Sequence, residues 1–326
     1  MIAVVLAGGR VMATTALRER VASADVVIAA DGGARHARTL GLRLDLIVGD
    51  MDSIDAGTLR RHADAEVRRH PRDKDLLDLE LALDEAAARG ATTMIVVGVF
   101  GGRLDHELAA LAVAQARHRS GHEVELHSGD ALALPVRAGQ ERSFEGVAGA
   151  TVSVLATQPG TRVTLTGMRF ALVDGPLEPG VGLGMSNETT GGRASVRVHA
   201  GDALVVVPEL SDVDAADVVW GRHEERIDAG LRRIDPVLGD LVRRVAYDEV
   251  FADRALDLRT RELLALGHLI AIGAMDELRT HLHGALNAGA TPEELRALLA
   301  HAAMFVGFPR ALMAAKVLRD VLDAAP

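Results

Sequence analysis

Five carboxylates fall in two tight runs of this chain, Gly49-Asp50-Met51-Asp52-Ser53 and Arg72-Asp73-Lys74-Asp75-Leu76-Leu77-Asp78. Acids packed this closely repel one another unless a cation sits among them, so the runs point to a hard divalent ion held by oxygen. Lys74 adds to this. The chain has 36 Lys and Arg together, and only Lys74 and Lys316 are lysine. A compact ammonium kept between two acids suits a phosphate held as a point charge, although a coding bias toward Arg leaves the same trace. Asp75 and Asp78 also fit plain compensation of a helix dipole, which does not account for Lys74 between acids.

The elements that must position these residues follow from hydrophobic pattern. Unbroken apolar runs at Ile2–Ala7, Val26–Ala30, Leu44–Val48 and Met94–Phe100 read as strands of a parallel sheet covered on both faces. Helical patterns lie between them, around Thr14–Ala22, Ala34–Leu40, Asp75–Arg89 and His106–Arg119, with a short helical spacer between the two acidic runs. Leu76, Leu79, Leu83 and Ala86 form the sheet-facing stripe of the third helix. Each strand ends in a polar turn: Gly8-Gly9, Asp31-Gly32-Gly33, Gly49-Asp50-Met51-Asp52 and Gly101-Gly102-Arg103-Leu104-Asp105-His106. In an open parallel sheet the strand ends converge on one crevice, where glycines let backbone approach phosphate.

Bulk composition narrows the partners. At 326 residues the chain exceeds a single core and suggests two or three domains. A net charge of −10 argues against nucleic acid or an anionic membrane surface as partner. The absence of Cys removes disulfides, thiolate metal sites and redox pairs. The opening MIAVVLAGG lacks a basic n-region and reads as a strand, and there is no 18-residue apolar run, so a cytoplasmic protein is expected.

Residues 124–210 carry short β-branched stretches (Val124–His127, Thr151–Leu155, Arg162–Leu165, Ser195–Val198, Ala203–Val207) separated by Gly and Pro turns, the pattern of an antiparallel sandwich. Within it the polar loop Gly182–Glu188 can present Ser186 and Asn187 as neutral hydrogen-bonding groups. Pro208–Gly221 reads as an acidic linker, and from about His223 the chain is helical. Thr291-Pro292-Glu293-Glu294 is a capping box with Pro at the first helical position. Glu262, His268, His281, His283 and His301 lie in this part. His281 and His283, two apart on a helix, point about 200° apart and cannot share a metal. Glu262, His281 and His301 either meet in a pocket or are scattered.

Residues 1–210 resemble the thiamine pyrophosphokinase family through Asp31-Gly32-Gly33-Ala34, Gly49–Ser53, Asp73-Lys74-Asp75 with Asp78, Gly101–His106 and Ser186-Asn187-Glu188, in the family's order. The resemblance implies transfer of diphosphate from ATP to the hydroxyethyl group of thiamine, Mg²⁺ dependence, and a homodimer or higher homo-oligomer with sites between subunits. By the same resemblance Asp50, Asp52 and Asp78 hold the metal, while Asp31, Gly32, Gly33, Asp73, Lys74, Asp75, Gly102 and Arg103 bind ATP. Asp105 and His106 meet thiamine, and Ser186 and Asn187 reach it across the dimer. The family's Thr before the last acid is Leu77 here, and its aromatic near thiamine has no evident counterpart, since the only Trp, Trp220, lies in the linker. The other readings are diphosphate transfer to another alcohol, such as a pterin, or a degenerate N-terminal half regulating the C-terminal domain.

Residues from about 223 to 324 resemble the carboxymuconolactone decarboxylase family, through Arg261-Glu262-Leu263, His281 before Ala285–Glu294, and His301 before Gly307-Phe308-Pro309. This implies a decarboxylase-like activity with His281 as acid or base, a small-molecule binding module or an oligomerisation domain. The last two are favoured, because such folds outlive their chemistry. The expected fold is an α/β parallel-sheet domain (1–123), an antiparallel β-sandwich domain (124–210), a linker (211–222) and an all-α domain (223–326).

Overall fold

The computed structural model describes the chain except residues 74–75, 147, 208–213, 254 and 325–326, so Lys74 and Asp75 lie outside the described residues. Strands β1 (Ile2–Leu6), β2 (Val26–Ala30), β3 (Leu46–Gly49), β4 (Glu66–Arg69), β5 (Thr93–Val97) and β6 (Glu123–His127) run parallel in the order 6-5-1-2-3-4. Both faces of this sheet are covered, which is why its strands are apolar without alternation. Helices α1 (Thr15–Ala22), α2 (Arg35–Leu40) and α3 (Ala56–Arg61) lie between the first four strands, and α4 (Asp78–Ala88) and α5 (Leu104–Arg119) flank β5. Leu79 and Leu83 of α4 pack against Val5, Ile28 and Val96 on one face, and Leu17 of α1 and Leu40 of α2 against Val4, Leu6 and Ile47 on the other.

Two local expectations change. The helix expected from Asp75 begins at Asp78, because Glu80 Oε2 accepts from Leu77 N (2.9 Å) and so fixes the first turn there. Leu76 falls outside the helix and is 43% exposed. The spacer expected to be helical contains α3 and then β4, an edge strand of sequence EVRR whose largely exposed residues carry no apolar run to announce it.

The second unit grows out of the first. Strand β7 (Leu132–Arg137) pairs antiparallel with β6, and β8 (Glu141–Gly146), β9 (Thr151–Ala156), β10 (Thr161–Thr166), β11 (Leu172–Leu177), β12 (Asn187–Glu188), β13 (Gly192–Ala200) and β14 (Asp202–Val207) follow. One 10-stranded sheet, in the order 12-9-14-7-6-5-1-2-3-4, runs through both units, and a four-stranded sheet (11-10-13-8) packs on its antiparallel end. Val136, Val154, Val163, Val196 and Val205 fill the space between the two sheets. Residues 124–127, expected in the sandwich, belong instead to the parallel sheet, since Val124 sits opposite Met94 of β5.

The helical unit comprises α6 (Ala215–Trp220), α7 (Glu224–Ile234), α8 (Pro236–Leu241), a wide π-type helical segment (Val242–Phe251), α9 (Leu258–Ile272), α10 (Met275–Asn287), α11 (Pro292–Val306) and α12 (Phe308–Asp323). The stretch expected as a linker therefore includes a buried helix. Trp220 is 3% exposed and its Nε1 donates to Tyr247 Oη (2.8 Å), so this residue belongs to the helical core. The expected capping box is present: Thr291 Oγ1 accepts from Glu294 N (3.2 Å) and Glu294 Oε2 accepts from Thr291 N (2.9 Å). This unit docks on the α/β unit beside the β1 loop and α2: Ala13 N donates to Asn287 O (2.8 Å), Thr15 N to Asp217 Oδ2 (2.9 Å) and Arg38 Nη2 to Val321 O (2.6 Å). Among the described residues no helix is long and apolar enough to cross a membrane.

Candidate functional site

The strand order places β1 between β2 and β5, so the chain reverses direction across the sheet at β1 and β5. A crevice opens at the carboxyl ends of strands at such a point. Here it is a cavity of about 650 Å³ lined by Ala7–Gly9 after β1, Ala30–Gly32 after β2, Gly98, Val99, Gly102 and Arg103 after β5, and the start of α4. Three carboxylates meet beside it, Asp31 and Asp78 in its lining. One oxygen each of Asp31, Asp50 and Asp78 lies within 4.8 Å of the others, from three different strand-end or helix-start segments.

Local backbone explains how they meet. Gly49 has φ +149°, and a Cβ there would stand 3.0 Å from both Asp31 Cβ and Asp78 Oδ1, so only glycine lets the β3 end pass between the two acids. Asp31 (φ +42°) and Met51 (φ +67°) are non-glycine residues in the left-handed region, an expense that concentrates at functional loops. Ser53 Oγ donates to Asp31 Oδ2 (2.7 Å) and accepts from Gly32 N (3.2 Å), tying the two turns together. Asp31 is 3% exposed, and its Oδ1 is buried with no hydrogen-bond partner among the described residues. Burial raises its pKa, Ser53 opposes that, and the charges of Asp78 and Asp50 push it further up. An unpartnered buried carboxylate oxygen facing two more carboxylates is a donor set that fits Mg²⁺.

The remaining expected residues divide. Asp52 stands outside the trio, with its side chain 50% exposed and its Oδ2 3.5 Å from Arg72 Nη2, while its own backbone N donates to Asp50 Oδ1 (3.0 Å). Asp31, expected as a nucleotide contact, takes its place. Asp73 is exposed on the approach to the cleft. Arg103 lines the cavity but spends its guanidinium on Asp105, with Nη2–Oδ2 2.6 Å and Nε–Oδ1 3.1 Å, in an exposed fork that holds the Asp105 carboxyl below its usual range. His106 lines the cavity beside it.

Glu107 and Arg35 also border the cavity and were not expected from the sequence. Glu107 Oε1 accepts from Gly102 N (2.9 Å); Arg35 donates to the carbonyls of Gly8, Gly9 and Gly32. Leu77, at the N-cap of α4, offers no side-chain acceptor to the helix.

No residue of the sandwich lines this cavity among the described residues, so a single chain does not bring Ser186 or Asn187 to it. Asn187 is 2% exposed and its amide is consumed: Oδ1 accepts from Phe170 N (2.9 Å) and Nδ2 donates to Phe170 O (2.8 Å). It shapes the loop rather than facing a ligand. Ser186 is exposed, in the left-handed region at φ +51°, and its N donates to Ser153 Oγ (3.0 Å).

A second arrangement lies in the helical unit. Glu262 of α9 is 0% exposed, and its Oε2 is 3.0 Å from His281 Nδ1 of α10. Burial raises the Glu262 pKa against the His281 hydrogen bond. Burial lowers that of His281, but the Glu262 bond and charge outweigh it, so the pair keeps a proton readily. His301 does not join them: it is exposed, its ring 5.0 Å from that of Phe305, and no hydrogen bond links it to the pair among the described residues.

Comparison with known proteins follows the same divisions. Residues 17–126 match the family described as thiamin pyrophosphokinase, catalytic domain; residues 140–205 match its vitamin B1 binding domain; residues 236–320 match the carboxymuconolactone decarboxylase family. Among curated proteins, 4-carboxymuconolactone decarboxylase of Acinetobacter baylyi is 32% identical over 114 residues, which cover 34% of this chain and 84% of that protein. Nitrosuccinic acid decarboxylase of Metarhizium robertsii is 33% identical over 106 residues, covering 30% of this chain and 74% of that protein.

Among solved structures, thiamine pyrophosphokinase from Bacillus subtilis superposes with a TM-score of 0.57 at 23% identity, over 64% of this chain and 98% of that one. That from Geobacillus thermodenitrificans gives 0.54 at 22%, over 65% and 100%. These structural likenesses establish the fold. The chain belongs to the thiamin pyrophosphokinase family through its catalytic and vitamin B1 binding domains and to the carboxymuconolactone decarboxylase family through its helical domain.

Proposed function

We propose that the first two domains catalyse Mg²⁺-dependent transfer of diphosphate from ATP to the hydroxyl of thiamine, giving thiamine diphosphate and AMP. The observation that carries the reading is the Asp31–Asp50–Asp78 trio, two of whose acids line a glycine-rich cavity at the strand reversal. Those three acids would hold Mg²⁺, which supplies neutralisation of phosphate charge and Lewis-acid polarisation. Asp52 with Arg72 then stands at the rim, and Gly8, Gly9 and Gly32 offer the close backbone approach that phosphates need. Arg103 leaves Asp105 to meet the phosphates, which frees the Asp105 carboxylate for the acceptor hydroxyl. That hydroxyl oxygen bonds to the β-phosphorus as the bond to the α-phosphate oxygen breaks; AMP departs, and the hydroxyl proton passes to Asp105 or His106. Lys74 is proposed as a further cation on the phosphates.

Exposed apolar residues Leu104 (69%) and Leu108 (59%) at the start of α5, and Phe170 (58%), Leu183 (57%) and Met185 (46%) around Ser186, support a homodimer in which the Ser186 loop of one copy covers the cleft of the other. The direct test is AMP release from Mg·ATP with thiamine, with a hydroxymethyl pterin, or with no acceptor. Thiamine alone should accelerate AMP release, with equimolar thiamine diphosphate; acceleration by the pterin instead would replace the acceptor, and by neither would remove the kinase reading.

The buried Glu262–His281 pair favours a second reading for the helical domain: it binds a small molecule and can pass a proton to it at His281 Nε2, the ring nitrogen that Glu262 leaves free. Saturable shifts of the His281 ring resonances on titration with small carboxylated lactones test this, and unchanged resonances contradict it.

A further inference from the structure

The loop between β1 and α1 has two faces. One lines the nucleotide cavity through Ala7, Gly8 and Gly9. The other is held by the helical domain. Its backbone is pinned to the β5 loop by Gly9 N to Gly98 O (2.6 Å) and Arg10 N to Phe100 O (2.7 Å), then passes to the helical domain through Ala13 N to Asn287 O. Gly289 of that domain has φ +92°, and a Cβ there would stand 3.2 Å from Val11 O, so backbone meets backbone at this point.

Arg10 is the side chain that joins both faces. Its aliphatic stem lies against Gly101, where a Cβ would fall 2.8 Å from Arg10 Cδ, and Gly101 begins the turn that carries Gly102 and Arg103. Its Nη2 is 3.8 Å from Glu294 Oε1. Glu294 is itself fixed by the α11 capping box and by Arg259. Beside it, Pro292 and Glu293 face Gly32, Asp52 and Ser53 across a crevice of about 310 Å³ that adjoins the nucleotide cavity at Arg35. The first turn of α11 thus reaches the β1 turn through Arg10 and stands across a crevice from the Gly32 turn.

We propose that Arg10 is a positioning residue of the nucleotide cleft, held by Glu294, so that the helical domain sets the kinase's affinity for Mg·ATP. The proposal rests on the kinase reading only in requiring that Mg·ATP binds this cleft. The fusion then has a physical role: the helical domain is a fixed wall that keeps the β1 and β5 turns in register.

The test is calorimetric binding of Mg²⁺ with α,β-methylene-ATP to the full chain, without acceptor. Arg10→Gln should weaken binding by about three- to fivefold, the range a part-exposed ion pair supplies; Arg10→Lys should stay within about twofold. Glu294→Gln should weaken binding to a similar extent, and the double variant should be no worse than either single one. In turnover, KM for ATP should rise while KM for thiamine and kcat stay level. If Arg10 acted only through its charge on the phosphates, removing the nearby negative charge in Glu294→Gln would tighten binding, and that result overturns the proposal. So does unchanged binding in Arg10→Gln, which decides the matter even if Glu294→Gln folds poorly. Failure of the wild type to bind the nucleotide overturns the proposal and the kinase reading together; nucleotide binding without thiamine-dependent AMP overturns only the acceptor assignment.

Discussion

In the cleft, three carboxylates from separate segments converge, two of them lining the cavity, and the buried Oδ1 of Asp31 has no hydrogen-bond partner among the described residues; in the helical domain, a single carboxylate is fully buried and spends itself on one histidine. The first arrangement sets like charges against one another, which the cation of the proposed function would relieve. The second already pairs the acid with a proton-holding group. The difference turns on what faces the acid: a cation would relieve like charges set together, while a histidine held against a buried carboxylate favours keeping a proton.

Two results would sharpen the contrast. The larger concerns Glu262. Glu262→Ala leaves the His281 proton without its buried partner and should destabilise the helical domain by about 3–5 kcal/mol, whereas Glu262→Gln, which keeps a hydrogen bond, should cost about half of that or less. Trp220, the only tryptophan and part of this domain's core, reports the transition in urea. A midpoint unmoved by Glu262→Ala would mean that the pair is solvated and the contrast unfounded.

The smaller is a pair of opposite pH slopes. His36, buried on α2 with Nε2 2.8 Å from Gly9 O, has its pKa pushed down to about 3 by burial, with Arg35 adding to it. Its folded pKa lies below the unfolded value of about 6.5, so the unfolded chain takes the proton first. The stability it contributes is full above pH 6.5 and falls by about 1.4 kcal/mol per pH unit below it. Glu262 and His281 are both raised, so the folded state holds the extra proton and their contribution declines as pH rises. Urea midpoints from pH 5 to 9 should show His36→Gln flattening the acid side and Glu262→Gln flattening the alkaline side. Equal slopes in all three proteins would contradict the assignment.

Much of the first arrangement was legible because its parts are local. Apolar runs ended by Gly and Asp mark the strand ends, and a parallel sheet brings strand ends together whatever the sequence distance between them. Side-chain direction was not legible. Asp50 and Asp52 are two residues apart, and only the folded turn shows that one enters the trio and the other faces Arg72. Asn187 looked like a ligand group because an amide can donate and accept, but the fold uses both capacities on Phe170.

Pairings across sequence distance were equally hidden. Glu262 and His281 are 19 residues apart on neighbouring helices, and Arg10 reaches Glu294 from another domain. The stretch expected as a linker was misleading because acidic residues interrupt its apolar pattern, yet Ala216, Val218 and Val219 within it are buried.

The measurement that bears most directly on the proposed kinase site is thiamine-dependent AMP formation by Asp31→Asn, run beside Mn²⁺ binding followed by electron paramagnetic resonance. The account predicts that AMP formation falls by at least about a hundredfold and that the bound-Mn²⁺ signal is lost at concentrations that saturate the wild type, with the helical domain's Trp220 unfolding midpoint unchanged. Wild-type rates and Mn²⁺ binding in Asp31→Asn would contradict it, because the trio would then hold no metal and its convergence on the cleft would have no part in the reaction.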